Sequence, residues 1–300
     1  MNLIVPPGTR VVAIAAVPIA ETGKPHPAGV VGVIVRAPAD GTHAYRVRFP
    51  DASEASLRRG EFRIWRAVRE SGVGEGPEDV DWNAFVIFRC VVGSRAFGLE
   101  HDESDVDLRG IYLPPTDLQW ALYGVPEQLE NDETQEVYWE LAKFLKLALK
   151  ANPGILECLW SPRIELATEL AQELLSMRDA FLSQLVYQTY NGYVLSQFKR
   201  LEQDLRTRGA IKWKHAMHLI RLLISGITIL RDGHVPVRVE EHRDQLLAIR
   251  RGEVPWEDID TWRLDLHRQF DDAFTHTTLP ERPDVERANA FLLRARRAMV

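Results

Sequence analysis

The chain has 300 residues, 45% of them hydrophobic and 27% charged, with a formal net charge of -6. Those values describe a folded chain with room for two or three modest domains, and they exclude disorder as its default state. The acidic balance also excludes a coat of positive charge for indiscriminate nucleic-acid binding, while leaving room for a local basic face.

Residues 8 to 66 carry short β-rich runs, notably Gly29 to Val35 and Tyr45 to Phe49, separated by turn-forming stretches such as Pro38 to Gly41. This spacing predicts a small β-barrel over residues 1–69, and its pattern resembles the SH3-like barrels of many nucleic-acid proteins. Residues 70–80 are rich in glycine and acid with no apolar periodicity, as expected of a linker. Two strands are predicted next, Phe85 to Val92 and Asp105 to Leu113, and a third at Thr134 to Tyr138. After Trp139, Leu141, Phe144, Leu145 and Ala148 recur at helical spacing until Asn152-Pro153-Gly154 stops the helix. From Glu165 onward the chain is expected to be mostly helical. Helices fit Ala180 to Leu205, Ile211 to Leu230, Glu240 to Arg251, Asp258 to Phe274 and Pro283 to Met299, and Val235 to Val239 is strand-like. The expected class is α+β: barrel, mixed sheet with helices over 81–163, and a helical domain over 164–300.

Cys90 and Cys158 match neither a disulfide framework nor a zinc pattern and are expected to be buried thiols of a reducing compartment. No apolar run approaches the roughly 18 to 20 residues of a spanning helix, and the N-terminus lacks a charged region followed by an apolar core. A cytoplasmic location without a membrane partner is the expectation.

The segment Val92 to Gly110 carries the chemistry. Gly93 lets backbone approach a phosphate closely, and the amides of a strand-to-helix turn, with the Ser94 hydroxyl, can hold triphosphate oxygens. About a dozen residues later, Asp105, Asp107 and Arg109 alternate along a strand, so all three are expected on one face, with Val106 and Leu108 toward the core. Two carboxylates side by side repel each other unless a cation sits between them, and Mg²⁺ favours one or two carboxylates plus phosphate oxygens. The pair predicts a metal. Arg109 serves equally well to neutralise the aspartates or to contact phosphate.

Gly93-Ser94 followed by Asp105-x-Asp107 resembles the DNA polymerase β-like nucleotidyltransferase superfamily, whose third acidic residue lies on a neighbouring strand. Arg95 to Gly98, Glu103-Ser104, Leu108 to Gly110, Lys143-Phe144, Asn152-Pro153, Glu157 and the run Lys214 to Arg221 are similar to a bacterial branch of such proteins. The likeness covers about residues 85 to 255. With Val137 and Trp139 inward, Glu136 and Glu140 share the opposite face, and either completes the site. Glu136 is preferred, because an acid opening a helix, as Glu140 does, is commonly a dipole partner.

On the predicted helix from Ile211, Lys214, His218 and Arg221 stand at i, i+4 and i+7, a polar stripe able to clamp a triphosphate or to pair with acids elsewhere. The resemblance implies Mg²⁺ or Mn²⁺, two ions, an NTP substrate, and transfer of an NMP to a hydroxyl with release of pyrophosphate. The expected acceptor is an RNA end such as a tRNA, toward which the barrel's Arg46, Arg48, Arg58 and Arg59 point. Protein adenylylation, or a nucleotide-binding regulator of an antitoxin-like pair, is the alternative.

Overall fold

A computed structural model describes residues 5–19, 24–38, 43–65, 80–101, 105–131, 133–208 and 211–300. The expected turn at Asp40-Gly41, most of the linker, and Asp102, Glu103 and Ser104 of the loop lie outside those residues. The chain divides into two compact units, Met1–Asp79 and Val80–Val300.

The first unit is a five-stranded antiparallel sheet of β1 (Arg10–Ala13), β2 (Val31–Arg36), β3 (Tyr45–Arg48), β4 (Glu54–Leu57) and β5 (Phe62–Ile64), in the order β4-β3-β2-β1-β5. Alternation sets its faces: Ile34, Tyr45, Val47, Ala55 and Leu57 are buried while their neighbours along each strand point out. The Tyr45 and Phe62 rings meet edge to face at 5.1 Å, and Gly32 is required because a Cβ there would lie 2.5 Å from Val47 Cγ1. Where a closed barrel was expected, the strands form an open sheet. Among the described residues no pairing joins β4 to β5.

The second unit is built on a mixed sheet in the order β10-β6-β7-β9-β8. Its strands are β6 (Val86–Val92), β7 (Asp107–Tyr112), β8 (Gln128–Asn131), β9 (Glu136–Glu140) and β10 (Ile164–Ala167). β6 is apolar at all but Arg89, as a strand covered on both faces must be. β6 and β7 run antiparallel, β7 and β9 parallel. A Cβ on Gly110 would lie 1.9 Å from the Phe88 carbonyl oxygen, so no other residue fits at the centre of β7. Phe88, Cys90 and Ile111 face the main core, whereas Val86, Tyr112 and Tyr138 form a smaller cluster with Trp82 and Phe85 on the other side.

Short helices α1 (Ser94–Phe97) and α2 (Thr116–Trp120) flank β7. α3 (Leu141–Ala148) buries Leu141, Phe144, Leu145 and Ala148, as their helical spacing dictates. Asn152-Pro153 does more than stop it. The Asn152 side chain accepts from Ile155 N–H and caps α4 (Pro153–Leu159), with Pro153 in the first turn where its missing N–H costs nothing. α5 (Glu169–Ser176), α6 (Leu185–Arg208), α7 (Trp213–Asp232), α8 (Arg243–Arg251), α9 (Trp256–His276) and α10 (Val285–Arg297) follow. Val235, Val237 and Val239 do not form the expected strand. They are buried against the core in irregular backbone, and Val239 N–H donates to Phe97 O. One core runs from Ile87 to Ala295, so the sheet and the helical half share their packing. No described helix is long and apolar enough to cross a membrane.

Candidate active site at the ends of two strands

The site begins where β6 ends. Gly93 turns the chain with φ 70° and ψ -153°, a conformation that side chains resist. The Asp107 carboxylate lies directly against Gly93: a Cβ there would be 2.6 Å from Asp107 Oδ2. The register explains this closeness: Val92, the last residue of β6, pairs with Asp107, the first of β7. The Gly93 carbonyl accepts from the Ala96 and Phe97 amides, and Gly98 ends α1 in the left-handed region with φ 73°. Ser94 and Arg95 stand half-buried at the head of this tight turn.

Asp107 is half-buried and Asp105, just before the strand, is exposed. Val106 does not face the core as expected; it is 42% exposed, because β7 starts only at Asp107. Arg109 shares a face with Asp107, with Nη2 3.7 Å from Asp107 Oδ1. Its Nη1 donates to the carbonyls of Leu108 and Gln135, both at 2.8 Å. Arg109 is thus anchored by backbone and holds one carboxylate in place, consistent with the neutralising role.

The register separates the acids of β9 from this cluster. Glu136 pairs with Leu108 and Glu140 with Tyr112. Paired residues point to the same side of a sheet, so both glutamates lie on the face opposite Asp107 and Arg109. Glu136 lines a hollow of about 600 Å³ with Trp82, Asn83 and Tyr138. Glu140 is buried, caps α3 through Ala142 N–H, and pairs with Arg296. Among the described residues no group of three His, Cys, Asp or Glu side chains is close enough to hold a metal.

The stripe on α7 divides. Lys214 is exposed, His218 half-buried and Arg221 only 1% exposed. Arg221 is not a free phosphate clamp: Nη1 donates to Glu157 at 2.6 Å and its guanidinium lies 3.7 Å from the Phe97 ring centroid. Arg221 therefore ties α7 and α4 to the turn of Gly93. The His218 pKa is pushed down to about 3, first by burial and then by Arg221, Lys214 and other cations. An imidazole that stays neutral when folded lets stability persist above its ordinary value of 6.5, and stability is lost as pH falls from there toward 3. The expected loss is about 1.4 kcal/mol per pH unit. His218→Gln should flatten the unfolding free energy over that range in urea titrations, whereas an unchanged slope would assign the loss elsewhere.

Sequence reasoning missed two arginines. Arg243 Nε donates to Gly98 O at 2.7 Å, and Arg250 Nη1 to Leu99 O at 3.0 Å with Nη2 3.2 Å from His101 Nε2. Both come from α8, some 145 residues further along the chain, and nothing local in the sequence marks them. They buttress the carbonyls where the turn leaves the site. Cys90 and Cys158 are free and buried, as expected, and the Cys90 thiol together with burial raises the Cys158 pKa. Neither is a nucleophile there.

The profile of the RlaP family, described as the RNA repair pathway DNA polymerase beta family, matches residues 69–294. Among curated proteins, the chain is similar to the uncharacterized protein YcgL of Bacillus subtilis (strain 168), 27% identical over 156 residues. That match covers 50% of this chain and 58% of the relative, so the chain spans little more than half of its length. No solved structure matches.

Proposed function

Because the chain belongs to the RNA repair pathway DNA polymerase beta family, we propose that it is a metal-dependent nucleotidyltransferase that moves an NMP from an NTP to a hydroxyl of an RNA end. The observation that carries the proposal is the contact between Gly93 and Asp107, where a Cβ would lie 2.6 Å from the carboxylate. It sets a turn suited to phosphate directly against a carboxylate suited to a cation.

The donor set fits the metal. Asp105 and Asp107 offer hard oxygens with access to solvent, and Mg²⁺ typically takes one or two carboxylates, leaving further positions to water and substrate phosphates. These two residues would hold one or two Mg²⁺ or Mn²⁺ ions, which when bound neutralise charge on the transferred phosphoryl group. The chain's own groups do the rest. The turn at Gly93 admits a phosphate against backbone amides, the Ser94 hydroxyl donates to a phosphate oxygen, and Arg95 and Lys214 supply positive charge. Arg109 keeps the Asp107 carboxylate oriented. An acceptor oxygen forms a bond to the α-phosphorus as the bond to the bridging oxygen breaks, the hydroxyl proton passes to solvent, and pyrophosphate leaves.

Incubation of the protein with an α-labelled NTP, RNA carrying free hydroxyl ends and Mg²⁺ or Mn²⁺ tests the proposal. Label should enter the RNA and disappear with a chelator. Label in protein instead would favour adenylylation, and NTP binding without pyrophosphate release would replace the enzyme with a regulator.

A further inference from the structure

We propose that the outward face of the N-terminal sheet binds single-stranded RNA; from the proposed function this takes only the class of the acceptor. The face lies outside the matched residues 69–294, so the family match does not cover it.

Its charge runs against that of the chain. Residues 1–65 contain eight Lys and Arg against five Asp and Glu, a surplus of three positive charges in a chain of net charge -6. Strand alternation then places the arginines together. The register aligns Arg10 with Val33, Val33 with Arg48 and Arg48 with Glu54, one row across four strands. Arg36 and Arg46 pair in the adjacent row. All four arginines are exposed. Glu54 accepts from Arg46 Nε at 3.0 Å and Arg48 Nε at 2.9 Å, which holds those two side chains side by side. One carboxylate cannot neutralise both. Arg10 and Arg36 have no acidic partner among the described residues.

The second feature is apolar. A groove of about 520 Å³ is lined by Arg10, Arg48, Val33 and Trp65. Cationic walls along a groove that offers an aromatic ring suit a flexible strand, whose phosphates meet arginine and whose bases can stack on a ring. A duplex keeps its bases stacked inside, so it gains nothing from the groove. An acidic protein segment would use the charge but not the ring.

The test is fluorescence anisotropy of a labelled single-stranded RNA oligonucleotide with the full chain, without NTP, over a salt series. Arg10→Ala/Arg36→Ala removes two exposed charges that support no ion pair in the sheet, and circular dichroism confirms folding. It should weaken binding about tenfold or more and lower the salt slope by about 1.4. Trp65→Leu should weaken it about tenfold at unchanged salt slope. Affinity unchanged in both variants overturns the proposal. So does equally tight binding of the matching duplex, or competition by polyglutamate as strong as by RNA. Asp105→Asn/Asp107→Asn should bind the oligonucleotide like the wild type, which keeps a failure of this surface distinct from a failure of the nucleotidyl-transfer proposal.

Discussion

Replacing Asp105 and Asp107 together with asparagine is expected to lower nucleotidyl transfer by at least about 100-fold, since a metal supplies several kcal/mol at the transition state and each 1.4 kcal/mol is tenfold. Asparagine keeps the shape of the side chain and removes the charge a divalent cation needs. Folding should survive, because Asp105 is exposed and Asp107 half-buried. Among the described residues the one ion pair lost is the 3.7 Å contact of Asp107 with Arg109, a partly exposed pair worth little. Melting temperature should therefore stay level while label incorporation from an α-labelled NTP collapses; activity near the wild-type rate in the double variant would remove the proposed metal site. Glu136→Gln is the companion measurement. Since Glu136 pairs with Leu108 and points away from Asp107, its loss should leave transfer within about twofold of the wild type. A collapse equal to that of the aspartates would restore Glu136 as the third carboxylate.

The fate of Glu136 shows where sequence periodicity stops being informative. A period of two fixes which residues of one strand share a face, and Glu136 and Glu140 do share one, as do Val137 and Trp139. It does not say how that strand is slid against its neighbour. The register of β9 on β7 turned Val137, not Glu136, toward the Asp107 side, and only tertiary packing sets that register. The glycine-serine turn was legible for the opposite reason. Its constraints are local and chemical, so a glycine and two aspartates at close spacing were enough to anticipate a strand, a tight turn and a second strand. Short elements were lost. Ile164–Ala167 is a four-residue edge strand whose Ile164 and Leu166 are 46% and 38% exposed, and no periodicity can accumulate over such a length. Val235 to Val239 erred the other way: alternating valines suggest a strand, yet their burial against the core satisfies the same pattern without a partner. Spacing on α7 places Lys214, His218 and Arg221 along one side of the helix, but it does not show that Arg221 is buried or that α4 carries a glutamate to meet it.

That meeting has a large expected consequence. Arg221→Ala should destabilise the protein by about 3–5 kcal/mol, because it leaves Glu157 charged and buried without a partner. Arg221 is 1% exposed and Glu157 6%, and the pair is closed at 2.6 Å, so water cannot replace the lost guanidinium. Urea denaturation should show a lower midpoint at unchanged slope. In Arg221→Met/Glu157→Leu neither charge remains, and apolar side chains of similar length fill the space, so most of the lost stability should return. A phosphate clamp predicts the reverse pattern: Arg221→Ala would fold as well as the wild type and raise the KM for the NTP. The double variant then separates two tasks of one side chain. The arginine also lies 3.7 Å from the centroid of Phe97, the last residue of the helix that Gly93 caps and Ser94 begins. If the guanidinium positions that turn as well as neutralising Glu157, the stability of the double variant recovers while its kcat stays low, and its NTP affinity shows whether the turn still receives a phosphate.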